Sequence, residues 1–240
     1  MTVTKTQRQA TAMRFGEPPP LESGDRLTRR EFERRYAAMP EVKKAELIEG
    51  VVYVASPVRH QQHGKPHGQI ITWLGVYVAA TSGVELSDNA TVRLDVDNEP
   101  QPDALLLLPA SAGGSASVSA DDYIEGPPDL VFEVAASSAA YDLHDKRDVY
   151  RRNCVREYAV WQVYDGRIDW WVLEEEVYVA IEPDEAGVIR SRVFPGLWLA
   201  TEGLLDGNMT QVLAVLQQGL VTEEHAALVK QLAEGNQPSA

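Results

Sequence analysis

Apolar positions along this chain follow two periods, and the switches between them mark out its elements. Thr28 followed by Glu31 is a capping-box pattern, and a helix is expected from there to about Ala38, ahead of Pro40. Residues 46–55 carry two short β runs on either side of Glu49-Gly50, the pattern of a hairpin. Ile70, Ile71, Leu74 and Val78 stand at helical spacing and predict a helix from about Pro66 to Ala80. Residues 84–96 read as one strand. Residues 104–108 are a continuous apolar run bounded by prolines, which predicts a strand covered on both faces, and residues 129–135 predict a second. A charged helix is expected over 141–153. Strands over 157–163 and 167–173 flank the hairpin signal Asp165-Gly166. Short strands over 178–181 and 188–193, then helices over 209–217 and 223–233, complete the pattern. This order predicts an α/β fold, a mixed β-sheet flanked by helices.

Three segments follow from the same reading. Residues 1–24, with Gly16, Gly24 and the run Pro18-Pro19-Pro20, predict a mobile leader. Residues 25–205 form the domain, and 206–240 a helical extension packed on it. No apolar run approaches the ~18 residues of a membrane helix, and the polar start is not a secretory signal, so no membrane association is expected. One cysteine, Cys154, can form neither an intrachain disulfide nor a thiolate metal cluster, which suits a reducing cytoplasm. The net charge of −14, from 22 basic and 36 acidic residues, works against nucleic-acid binding at long range. The basic residues nevertheless cluster, at Arg29, Arg30, Arg34 and Arg35 and again at Lys146, Arg147, Arg151, Arg152 and Arg156. Such runs form either a basic binding face or ordinary solvated helix faces.

The candidate chemistry lies in the two buried strands. Glu133 interrupts an apolar run, and an ionised carboxylate there is costly unless something compensates it. Strand alternation puts Leu130, Phe132 and Val134 on one face and Val131, Glu133 and Ala135 on the other. Asp103 opens the all-leucine run directly after Pro102. If the strands are neighbours, both acids converge at a sheet edge, as Mg2+ requires. Otherwise they are strand-end acids that reach solvent or pair with arginine. His60, His63 and His67 are spaced like metal ligands, but Gly64 and Pro66 are expected to interrupt a helix there, with no His-x-x-x-His pair on one clean apolar face. A zinc site is therefore not expected. Trp161, Trp170, Trp171 and Trp198 lie in strand runs and read as packing residues rather than base-stacking ones. No phosphate-loop glycine motif, Ser-His-Asp signature or kinase element is present.

Five stretches together resemble the Uma-type family of endonuclease-like proteins, a branch of the PD-(D/E)XK nuclease superfamily. They are Glu46-Leu-Ile-Glu-Gly50; Pro102-Asp103; residues 128–134; Tyr141-Asp142 with Lys146 and Tyr150; and Val155-Arg-Glu-Tyr158. The resemblance spans about residues 26–200. It implies a restriction-endonuclease-like fold, hydrolysis of nucleic-acid phosphodiesters (DNA as first candidate), Mg2+ or Mn2+ as cofactor, and a homodimer. It implies Asp103 as central metal ligand, Glu133 as second ligand and Glu46 as a further acid near the metal. The superfamily lysine should stand two residues after the acid, where this chain has Ala135, so the resemblance implies Lys146 from the following helix. Its role would be to orient the attacking water or neutralise developing charge. A plain i, i+4 pair with Asp142, worth ~0.3–0.5 kcal/mol, is the other reading of Lys146. His67, Arg147 and Arg151 are the candidates for substrate contact. The chain departs from the family at Ala136-Ser137-Ser138, where members show Ser-Pro-Ser, and at Gln162, where they show an aspartate. Two rivals stand beside the nuclease: a nuclease-fold binding scaffold, and a metal-dependent hydrolase of another phosphate ester.

Overall fold

The computed structural model describes residues 18–136 and 141–235. Most of the expected leader, residues 1–17, lies outside them, as do Ser137 and Ser138. Residues 18–24 correct the leader's boundary. Leu21 is buried with Phe32, Leu47 and Val52, and the Gly24 N–H donates to the Val52 carbonyl at 2.8 Å. One buried leucine gives this proline-rich stretch apolar area to remove from water.

The first helix, α1 (Arg29–Tyr36), starts where expected but not by the expected cap. Thr28 makes no side-chain cap bond. Glu31 instead accepts from Arg34 and from Arg35, each at 2.7 Å, because two guanidiniums within a turn outcompete a neutral backbone N–H. β1 (Ala45–Ile48) and β2 (Val51–Val54) form the predicted hairpin. Glu49 and Gly50 take φ of 53° and 69°, the left-handed pair that suits a tight two-residue turn. Register sets Glu46 opposite Tyr53.

The histidine-rich stretch also differs from expectation. His60–Gly64 forms a π-helical turn that runs directly into α2 (Lys65–Ala80). Pro66 stands directly after the π-helical turn, at the change to α-helical winding, and does not break the helix. The single strand expected over 84–96 is two, β3 (Glu85–Asp88) and β4 (Val92–Arg93), because Asn89 turns the chain at φ 52°. β5 (Ala104–Leu107) follows, then the short β6 (Ser117–Val118) and β7 (Ile124–Glu125), which form a small sheet with β4.

β8 (Leu130–Ala135) pairs antiparallel with β5 and parallel with β9 (Glu157–Gln162). A parallel pair requires a crossover. The crossover includes a π-helical turn at Asp142–Lys146 and α3 (Arg147–Arg152). β10 (Arg167–Glu174) and β11 (Val177–Ala180) extend the sheet to the order β11-β10-β9-β8-β5-β3. Among the described residues β12 (Val188–Arg190), β13 (Trp198–Ala200), α4 (Thr201–Leu205), α5 (Met209–Leu220) and α6 (Glu223–Gly235) finish the chain.

Both faces of the sheet are covered, which explains the unbroken apolar runs. On one face Phe132, Val134, Leu106 and Trp170 pack with Trp73 and Leu74 of α2 and with Val212, Leu216, Leu228 and Leu232 of α5 and α6. Trp73 meets Phe132 and Trp170 edge-on at 6.3 and 6.1 Å. On the other face Val131, Ala135 and Leu105 pack with Tyr150 of α3 and Tyr158. Glu133 belongs to this second face, so the crossover helix lies over it. No helix among the described residues is long and apolar enough to cross a membrane.

A buried acid outside the sheet makes stability pH-dependent. Glu99 bridges the hairpin through its backbone, exchanging hydrogen bonds with Leu47 at 2.7 and 3.1 Å. Burial first, and the neighbouring Glu33 second, push its carboxyl from 4.5 up to about 8, against the pull of Arg93. A carboxyl held above its unfolded value binds its proton more tightly when folded, so its contribution is present at low pH and fades as pH rises through that window. Glu99→Gln should therefore flatten the fall in melting temperature between 4.5 and about 8. The expected difference is a rise of several degrees at the alkaline end, read by calorimetry across pH. A profile parallel to wild type would show that Glu99 ionises normally.

Candidate functional site

The predicted acids meet where the start of β5 lies against β8. Ala104 pairs with Phe132, and Asp103 stands one residue before β5, which sets it against Glu133. The Asp103 N–H donates to Glu133 Oε2 at 3.3 Å, and the Val134 N–H donates to Asp103 Oδ2 at 2.8 Å. Both residues are nearly fully buried.

Lys146 closes the cluster from above. Its Nζ lies 2.9 Å from Glu133 Oε1, 2.9 Å from Glu46 Oε1 and 3.5 Å from Asp142 Oδ1. The i, i+4 pair with Asp142 and the reach into the site thus coexist. Tyr150, one turn on, donates its hydroxyl to Glu133 Oε1 at 3.1 Å. Glu46 also accepts the Gln101 N–H at 2.8 Å. Helix phase explains what Arg147 and Arg151 do instead. With 146 and 150 facing the sheet, 147 and 151 point elsewhere. Arg147 lies over the Trp171 ring at 5.4 Å, and Arg151 donates to the Glu176 carbonyl at 2.9 Å. The structure does not bring these two arginines to the acids.

Three side chains join the site that the pattern alone did not place there. Lys44 Nζ donates to Asp103 Oδ1 and to Asn89 Oδ1, both at 3.1 Å. His63 Nε2 lies 3.2 Å from Asp103 Oδ2. His67 Nε2 lies 2.9 Å from the Asp103 carbonyl oxygen and 3.1 Å from Asp88 Oδ1. The two histidines are one helical turn apart, with ring centroids 5.6 Å apart, so this His-x-x-x-His pair does share a face, contrary to the expectation of a break. Tyr141 is the third, its ring 5.5 Å from Lys146 Nζ. Gln162, in register with Ala135, donates to Asp169.

Charge is the main feature of this pocket. Four carboxyls (Glu46, Asp103, Glu133, Asp142) share it with two ammonium groups, Lys44 and Lys146, so full ionisation leaves two negative charges in excess before His63 is counted. Burial pushes the Glu133 carboxyl from 4.5 up to about 8, against Lys146 and with help from Asp103. Burial also pushes Asp103 up, but His63, Lys44 and the Val134 N–H together hold it below the ordinary carboxylate range. Burial pulls Lys146 down, and Glu133, Glu46 and Asp142 more than offset it, so it stays charged. A surplus of buried negative charge takes up either protons or a cation.

The donor set fits a hard divalent ion in one respect and limits it in another. Asp103 and Glu133 offer carboxylate oxygens side by side, the donors Mg2+ takes. Among the described residues no three acidic, histidine or cysteine side chains are grouped to hold a metal ion. A cation there would take two carboxylates and fill its shell with water or substrate oxygens, which is the usual habit of Mg2+.

The mixed sheet, with its crossover laid over one face, is that of the restriction-endonuclease-like nucleases. The sequence model of the Uma2 family, described as "Putative restriction endonuclease", matches residues 29–202, and the chain belongs to that family. A solved protein of Anabaena variabilis ATCC 29413, described as "a putative nuclease belonging to DUF820", shares the fold at a TM-score of 0.53. That similarity covers 72% of this chain and 96% of the other, at 12% identity. No curated protein matches the chain.

Proposed function

We propose that this protein is a metal-dependent endonuclease that hydrolyses phosphodiester bonds in nucleic acid, with Asp103 and Glu133 holding Mg2+ or Mn2+. The observation that carries the reading is the pairing of β5 with β8, which puts two buried acids side by side under a buried lysine. When bound, the ion would neutralise charge at the phosphate and supply a water of lowered pKa.

The chain's own groups have distinct tasks. Lys146 directs its three donors at Glu46, Glu133 and Asp142, and so acts as a positioning residue for the acids rather than as an arm toward substrate. Tyr150 fixes the same Glu133 oxygen from a second direction. Lys44 is half-buried beside Asp103 and is the ammonium nearer to solvent, placed to meet an anionic oxygen. Cutting both strands of a duplex needs two such sites, and a homodimer would supply them. The rival scaffold reading draws on one observation: Lys44 and His63 already occupy both Asp103 oxygens.

Calorimetric titration of Mn2+ separates the two. Saturable binding is expected, and it should vanish in Asp103→Ala and Glu133→Ala variants that keep a cooperative melt. Metal-dependent cleavage of DNA or RNA should then follow the same variants. A wild-type protein that takes up no Mn2+ with or without oligonucleotide would move the reading to the scaffold.

A further inference from the structure

The Tyr141 hydroxyl is buried and has no hydrogen-bond partner among the described residues. A buried hydroxyl without a partner is costly, and such groups in native proteins call for an explanation. Its surroundings suggest one. The ring packs 4.2 Å from Tyr53, and Tyr53 is the cross-strand partner of Glu46. On its other side Lys146 Nζ stands 5.5 Å from the ring centre. The phenol thus packs on Tyr53 with Lys146 near its ring, beside the acid cluster, and its donor is unused among the described residues. Burial, then the nearby Glu46 charge, raises the phenol's pKa, so it remains a neutral O–H donor at any working pH.

A donor of this kind matches an oxygen that arrives with a ligand. The carboxylates around it are committed: Glu46 Oε1 to Gln101 and Lys146, Glu133 Oε1 to Lys146 and Tyr150. Lys146 is likewise committed to three carboxylates, so the Tyr141 hydroxyl is the donor left over in this group for an arriving oxygen. We infer that Tyr141 is a substrate-binding residue whose hydroxyl donates to a non-bridging oxygen of a bound phosphate group. The inference rests on the nuclease reading for the choice of phosphodiester as the phosphate's source. The Tyr53 ring packs against the phenol at a tilt of 38°, so the donor is set before the ligand arrives.

Tyr141→Phe gives the role a signature that a structural hydroxyl cannot produce. Deleting an unpartnered hydroxyl should leave the melting temperature of the ligand-free protein equal to wild type or above it. The same variant should bind inorganic phosphate, and a short fluorescent single-stranded DNA in Ca2+, about tenfold to a hundredfold more weakly, the worth of one hydrogen bond to a charged group. A variant that melts earlier overturns the inference, because the hydroxyl then has a structural partner. So does one that binds both probes as wild type does. The nuclease reading fails separately. Wild type that binds phosphate but cuts neither DNA nor RNA with Mn2+ sinks that reading, and weakened phosphate binding by Tyr141→Phe still upholds the hydroxyl's role. Wild type that neither binds nor cuts sinks both.

Discussion

Lys146→Met should lower unfolding stability by about 3–5 kcal/mol at mildly alkaline pH, the cost of stripping one partner from a buried ion cluster. Methionine keeps the apolar stem of lysine and packs against the same walls, so the substitution isolates the charge. What remains is Glu46, Glu133 and Asp142 around an uncharged thioether, with Asp103 beside them. These carboxyls then lose the positive charge that compensates them, and the cheapest response is to bind protons. In the variant Glu133 should therefore titrate higher than in the wild type, where burial already pushes it up to about 8. A raised folded value means stability present at low pH and lost as pH rises. The deficit of Lys146→Met should be large near pH 8 and shrink toward about pH 5, where Glu133 is protonated in the folded state. Urea unfolding at the two ends checks both size and sign. A deficit of about 1 kcal/mol or less at both, as for a surface pair, would mean that the lysine is solvated.

The parts of this site legible in the sequence are those where local pattern and burial coincide. Residues 104–108 and 129–135 are apolar without interruption because both faces of β5 and β8 are covered. The acids Asp103 and Glu133 stand out against that background, and alternation assigns Glu133 its face. Lys146 comes from the resemblance, and helix phase makes sense of its reach. The same phase, applied one step further, would have turned Arg147 and Arg151 away, since Lys146 and Tyr150 use the inward positions. Lys44 and His63 were not legible in the same way. Their only link to Asp103 is a tertiary contact, across 59 and 40 residues of chain. Lys44 does carry a faint signal: it shares a strand phase with Glu46 two residues on. His63 carries only its spacing from His60 and His67 until the π-helical turn is known, because Gly64 and Pro66 argue locally for a break. The capping box at Thr28 failed for the complementary reason. The pattern was right, but Arg34 and Arg35 bid more strongly for Glu31.

On the proposed metal-dependent reading, Asp103→Asn should reduce nuclease activity by about a thousandfold or more, because charge stabilisation by an ion would be worth several kcal/mol and each 1.36 kcal/mol is a factor of ten. The change replaces one oxygen by an NH2 group and removes one charge. Asp103 Oδ2 accepts the Val134 N–H at 2.8 Å and lies 3.2 Å from His63 Nε2, while Oδ1 accepts from Lys44. An asparagine presents one acceptor and one donor to these neighbours. If its oxygen keeps the Val134 bond, its amide faces the Lys44 ammonium, donor against donor. Lys44 then loses the charge that most favours its ionised form. A stability loss of about 1–3 kcal/mol is expected from that mismatch, so the protein should still fold. Mn2+ binding should disappear together with cleavage, because an amide oxygen is a far weaker ligand for a hard cation than a carboxylate. The informative comparison is Lys44→Met in the Asp103→Asn background. Removing the ammonium should recover the stability and leave cleavage absent, since the donor clash is gone but the ligand is not restored. Cleavage retained within about tenfold by Asp103→Asn, a loss of only one such factor, would place the chemistry away from the contact of β5 with β8.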